Sequence, residues 1–195
     1  YHHRPGEYIL ANDTIATVWC DEDQWETVDN DLNASITTGS ERTELQDIEY
    51  AIDQLVEVAV RAMSKGINDP YTAINCIHRL ASALLQIAEN ELPGGMIHDS
   101  SGKLRIATVS YTYRGLIDAA FYQIRQHARA IEAVAIEMMT ILTKLSHKQV
   151  PREFHQAIEK HAQLLMHDCQ DSFPNQHDLQ ELEHCFAQRN QPEPG

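Results

Sequence analysis

Two polar clusters interrupt otherwise apolar helical patterns, and any chemistry in this chain would most naturally sit there. The first is Glu41-Arg42-Thr43 followed by Gln46-Asp47. Arg42 lies about one helical turn from Gln46 and Asp47, a spacing at which side chains meet, so capping plus an ion-pair network is one reading. The other is a small-anion site. Arginine near a helix N-terminus is electrostatically misplaced unless it meets an acid or an anionic ligand, and the exposed N–H groups of a first turn would complete such a site with Thr43. The second cluster is Asn68-Asp69-Pro70-Tyr71-Thr72. Turn and cap chemistry accounts for most of these letters, with Asp69 as N-cap and Pro70 at the first helical position. A base or metal ligand at Asp69, oriented by Asn68 and Thr72, is the competing role. The candidate ligand-binding set is therefore Glu41, Arg42, Thr43, Gln46, Asp47, Asn68, Asp69 and Thr72. No residue is assigned as catalytic or as a metal ligand, and no cofactor is implied.

Other templates fail on spacing. Among the eleven histidines, His177, Glu181 and His184 share one helical face, but a zinc-protease motif needs consecutive His-Glu and a second histidine four residues after the first. His161 lies on an apolar face and reads as a satisfied core histidine. The acidic run Asp21 to Asp31 lacks the alternating oxygen ligands, central glycine and terminal glutamate of a calcium loop, so it reads as a solvated loop and short helix. There is no GxSxG, Walker loop or GxGxxG.

The elements that must position these residues are mainly helical. Residues 1 to 19 carry a β signal, with turns at Arg4-Pro5-Gly6 and Ala11-Asn12-Asp13 and an alternating, β-branched stretch Thr14 to Trp19. Gly6, Ile9, Asp13, Ile15 and Val18 resemble half of a biotinyl-type hammerhead, without a lysine in a tight turn to carry a cofactor. A first long helix is expected from Thr38 to Ser40 onward, capped by Thr38 with Glu41, buried along Ile48, Ile52, Leu55, Ala59 and Ala62, and ended by Gly66 at C′. A helix of 25 residues is roughly 38 Å long, so the two polar clusters would not share one site within a chain. After the turn at Asn68 to Pro70, a second helix buries Ala73, Ile74, Ile77, Leu80, Ala81, Leu84 and Ile87, making an antiparallel helix hairpin. An extended piece is expected within Lys103 to Val109. Helical periodicity then runs from Tyr111 to Ser146 with a break near His127 to Ala130, and two more helices follow Val150-Pro151 and Asp178.

This gives a mainly α class: a helical bundle built on an antiparallel helix hairpin, with a small N-terminal β element. The divisions are 1–37 as a β-rich leading segment and acidic loop, 38–190 as the helical domain, and 191–195 as a disordered tail. The chain has 195 residues and a formal charge of −14, which argues against nucleic acid or an anionic lipid surface as a partner of its bulk. No run approaches 18 apolar residues, so no stretch spans a bilayer as a helix. It begins at Tyr1 with no charged-then-apolar leader, as expected for part of a longer protein. Cys20, Cys76, Cys169 and Cys185 show no paired spacing, and reduced thiols in the cytoplasm are the expectation.

At Gly39-Ser40-Glu41-Arg42-Thr43 with Gln46-Asp47, then Ala62-Met63-Ser64, Ile67-Asn68-Asp69-Pro70 and Thr72-Ala73, the chain resembles the bacterial membrane proteins called domain of unknown function 2254. Arg4-Pro5-Gly6-Glu7-Tyr8 is similar to that family's opening. Lys65 stands where the family has proline, and Met63 where it has leucine. The resemblance implies a segment that follows several transmembrane helices in a bacterial inner-membrane protein, on the cytoplasmic side, with its own membrane-spanning part as a partner. The resulting expectation is a non-catalytic module for assembly, regulation or ligand sensing. Its long amphipathic helices predict a homo-oligomer. The alternative is an enzyme or transporter gate acting on a small polar or anionic ligand through Arg42, Asp47, Asn68 and Asp69.

Overall fold

Apolar residues recurring every three or four positions fold into α-helices wherever a cap opens the run and a turn closes it. The computed structural model describes residues 1–43 and 45–189. Among these are seven α-helices: α1 Trp25–Ser35, α2 Ile48–Ala62, α3 Pro70–Glu89, α4 Tyr113–Ala128, α5 Glu132–Ser146, α6 Arg152–Gln170 and α7 Gln176–Gln188. Two strands, β1 Met96–His98 and β2 Leu104–Ala107, pair antiparallel. The mainly α class with a small β element is thus what the protein adopts. The tail expected at 191–195 lies outside the described residues.

The chain divides into two compact units, Tyr1–Tyr50 with Pro93–Ser110, and Ala51–Leu92 with Tyr111–Gly195. In the second unit α5 packs on α3, α6 and α7, while α4 lies principally on α6. Phe121, Phe154, Leu116, Ile117, Ile124, Met138, Met139 and Ile158 are wholly buried. Each such side chain contributes about 1.5–3 kcal/mol through removal of apolar surface from water. Tyr113 meets Phe154 edge to face at 6.2 Å, a favoured aromatic geometry. The expected break near His127 to Ala130 is present: α4 ends at Ala128, and Ile131, extended at φ −138°, opens α5.

In the first unit the expected turns form, with Glu7 N donating to Arg4 O at 3.2 Å and Asp13 N to Leu10 O at 3.1 Å. The strand location differs from expectation. Residues 1–19 form no regular strand; between their turns they are tied by His2 N to Ile15 O at 2.9 Å and by the Tyr1 nitrogen to Ala107 O at 2.6 Å. Among the described residues the only ladder is β1–β2, with Met96 opposite Ala107 and Ile97 opposite Ile106. Alternation specifies an extended chain; a ladder also needs a partner strand in register, which Thr14 to Trp19 lack.

The start of the long helix also moves. Residues 38–43 and 45–47 are not helical, and α2 opens at Ile48. Thr38 and Glu41 are therefore no capping box. At the other end Gly66 is not the left-handed residue; Asn68 is, at φ 49°.

Candidate functional site

Asp47 stands immediately before α2, and its carboxylate takes over the capping role. Its Oδ1 accepts from Tyr50 N at 3.0 Å, satisfying one of the helix's orphan donors. Its Oδ2 accepts from Arg42 Nε at 2.7 Å. The Asp47 side chain is only 3% exposed and that of Arg42 35%, so the pair is sunk on one side and open on the other. The Arg42 guanidinium also lies 5.2 Å from the centre of the Tyr50 ring, a cation–π distance.

The turn at Arg4-Pro5-Gly6 closes over this pair. Gly6 sits at φ +84°, and a Cβ there would fall inside the Asp47 carboxylate, 2.6 Å from Cγ, and 3.2 Å from Arg42 Nε. Only glycine has both the backbone freedom and the missing atom that this approach requires. Next to it Arg4 forks onto Glu49, Nη1 to Oε1 at 3.0 Å and Nη2 to Oε2 at 3.1 Å, and donates from Nε to Glu7 at 3.1 Å. Bidentate pairing is the strongest geometry available to arginine. Partial burial works against both charges, but the mutual hydrogen bonds outweigh it: the Arg4 pKa is raised and that of Glu7 lowered. The two motifs, Arg-Pro-Gly and Glu-Arg-Thr with Gln-Asp, thus meet in one ion-pair cluster at the head of α2.

Of the expected set, Arg42 and Asp47 are brought together, while Glu41, Thr43 and Gln46 are exposed beside them. Arg4, Gly6 and Glu49 complete the cluster and were not among the expected residues. Their one sequence signal is the Arg-Pro-Gly turn itself, which does not say what it turns against.

Asn68, Asp69 and Thr72 fall in the other unit. Asp69 N donates to Ala62 O at 2.9 Å, its Oδ1 caps Thr72 N at 3.1 Å, and its Oδ2 accepts from Thr72 Oγ1 at 2.5 Å. These bonds to Thr72 lower the Asp69 pKa and hold it as a carboxylate. Asn68 supplies the left-handed turn, a conformation that asparagine tolerates well. Pro70 opens α3 as expected.

A second polar cluster, between α4 and α6, was not anticipated. Asp118 Oδ1 accepts from Lys160 Nζ at 2.9 Å and pairs with His161 Nε2 at 2.8 Å. His161 is fully buried, and its Nδ1 has no hydrogen-bond partner. It is therefore only half satisfied. Further along the same two helices, buried Arg125 pairs with Asp168. On α7, ligand atoms of His177, Asp178 and Glu181 lie within 4.8 Å of one another; this trio is exposed or half-buried and includes Asp178 rather than His184. All four cysteines are free thiols, and burial pushes Cys169 up to about 12.

A family described as a predicted membrane protein (DUF2254) matches residues 1–144. Uncharacterised proteins of two Mycobacterium tuberculosis strains and of Mycobacterium bovis are each 28% identical over 140 residues, covering 72% of this chain and 27% of the relative. The chain spans about a quarter of the length of those relatives. No solved structure gives a significant match.

Proposed function

The chain belongs to the DUF2254 family of predicted membrane proteins, and from that premise we propose that it is an extramembranous, non-catalytic module serving assembly, regulation or ligand sensing in a larger bacterial inner-membrane protein. The observation that carries this reading is how the polar motifs are engaged. Asp47 and Asp69, the two aspartates of the motifs, cap α2 and α3, and Arg42 is turned onto Asp47. Groups aimed at internal donors fix element positions rather than meeting a substrate. No helix among the described residues is long and apolar enough to cross a membrane, in keeping with a segment outside the bilayer. Four free thiols fit a cytoplasmic orientation.

The second reading is an anion-binding or gating site, and the accessible side of Arg42 favours it. Calorimetric titration with phosphate and sulfate separates the two. A module for assembly or regulation expects no saturable heat, and an Arg42→Ala variant that differs only in stability. Saturable binding lost in Arg42→Ala overturns those two roles in favour of a ligand site, used for sensing or gating.

A further inference from the structure

Among the described residues, two buried side-chain nitrogens make no hydrogen bond: Nε of Arg125 and Nδ1 of His161. An unpaired polar atom inside a protein is costly, so each calls for a partner. Both belong to the contact between α4 and α6, Arg125 on the first helix and His161 on the second. Asp118 and Arg125 are seven residues apart on α4, and His161 and Asp168 seven apart on α6. Two pairs therefore follow one another along the contact, Asp118 with His161 and Arg125 with Asp168, about two turns apart. Each pair leaves one atom over.

The two atoms are opposite in kind. Asp118 is held as a carboxylate and can only accept, so His161 Nε2, 2.8 Å away, carries the ring proton. Burial keeps the imidazole neutral, which leaves Nδ1 as a bare acceptor. Arg125 Nε–H can only donate, and the Arg125 charge lies near enough to act on His161. Asp168 already pairs with Arg125 and Lys160 with Asp118, so no counter-ion is called for. The partner must also be small. Phe121 stands edge-on to the His161 ring at 6.1 Å, and Phe121 and Leu165 are fully buried. We propose that one internal water sits in the α4–α6 contact, accepting from Arg125 Nε–H and donating to His161 Nδ1. Water fills both roles at once and is the usual guest of polar atoms that packing leaves over. It joins the two pairs into one chain, from Asp118 through His161, the water and Arg125 to Asp168, which fixes α4 against α6.

A high-resolution crystal structure of the 195-residue chain tests this directly. An ordered oxygen is expected within about 3.2 Å of both atoms. Nitrogen NMR of the histidine rings, at about pH 7.5, should place the His161 proton on Nε2. Oxygen-17 relaxation dispersion then counts long-lived internal waters in solution. Arg125→Lys keeps a cation for Asp168 but has no Nε–H, and should hold one such water fewer than the wild type. His161→Leu should lose the same water. His161→Gln, which keeps an acceptor oxygen beside its donor, should retain it. Circular dichroism checks the fold of each variant, and should any fail to fold, the wild-type crystal structure and ring spectra decide. The proposal is overturned if either atom bonds directly to a protein group, or if an oxygen reaches only one of them or neither. A proton on Nδ1, or a water count unchanged in a folded Arg125→Lys, overturns it equally.

Discussion

Gly6 cannot carry a side chain without displacing the Asp47 carboxylate. Gly6→Ala is expected to cost about 2 kcal/mol or more, from left-handed strain together with the forced shift of a buried ion pair. A urea or thermal midpoint measures it. Arg42→Ala leaves Asp47 buried with one donor fewer; the open side of Arg42 moderates the loss to roughly 2 kcal/mol. The two substitutions act on one cluster, so the double variant should lose clearly less than the sum, and strict additivity would show that Gly6 and Arg42 are not coupled. Asp69→Ala removes the α3 cap and lowers the midpoint, whereas Asp69→Ser, which keeps an acceptor oxygen, retains most of the stability.

At the scale of elements, the α4–α6 contact makes stability depend on pH. Burial lowers the His161 pKa despite the opposing pull of Asp118, so the folded protein holds this imidazole neutral. The unfolded chain takes up that proton near its ordinary value of about 6.5. Stability is therefore complete above that value and is lost as pH falls from it toward the lower folded value. Asp118 is itself partly desolvated, but hydrogen bonds from Lys160 and His161 outweigh this and hold its pKa down. Its contribution is lost only below about pH 4, as the carboxylate is protonated. His161→Gln, which can still donate to Asp118, should flatten the midpoint in the range just below about pH 6.5 and leave the steeper acid loss; an unchanged slope would refute the assignment. This cluster was not legible in the sequence, because Asp118 and His161 are 43 residues apart and only packing joins them. The helices themselves were legible, since three-and-four spacing is a local property, and Pro70 with Asp69 marked the start of α3. The start of α2 was missed at Thr38 although the apolar stripe begins only at Ile48, directly after Asp47. Cap letters occur in both places, and the turn at Gly6 that lies against Asp47 and Arg42 is too far away in sequence to tell them apart.

For the whole molecule, charge and exposed apolar surface pull in opposite directions. A net charge of −14 repels anionic lipid, yet Tyr8, Trp19 and Leu45 in the first unit are 88%, 88% and 92% exposed. Aromatic side chains of this kind settle at membrane interfaces when nothing opposes them. The charge term is the longer-ranged of the two, reaching about 30 Å at 0.01 M salt and about 8 Å at 0.15 M, whereas apolar insertion acts only on contact. Repulsion should therefore prevail, and most completely at low salt. Vesicles of phosphatidylglycerol and phosphatidylcholine, sedimented with the 195-residue chain, are expected to leave it in the supernatant at both salt concentrations. Binding at low salt would mean that the exposed aromatics outweigh the charge and that this segment contributes its own membrane contact. Absence of binding would leave these aromatics available for protein contacts.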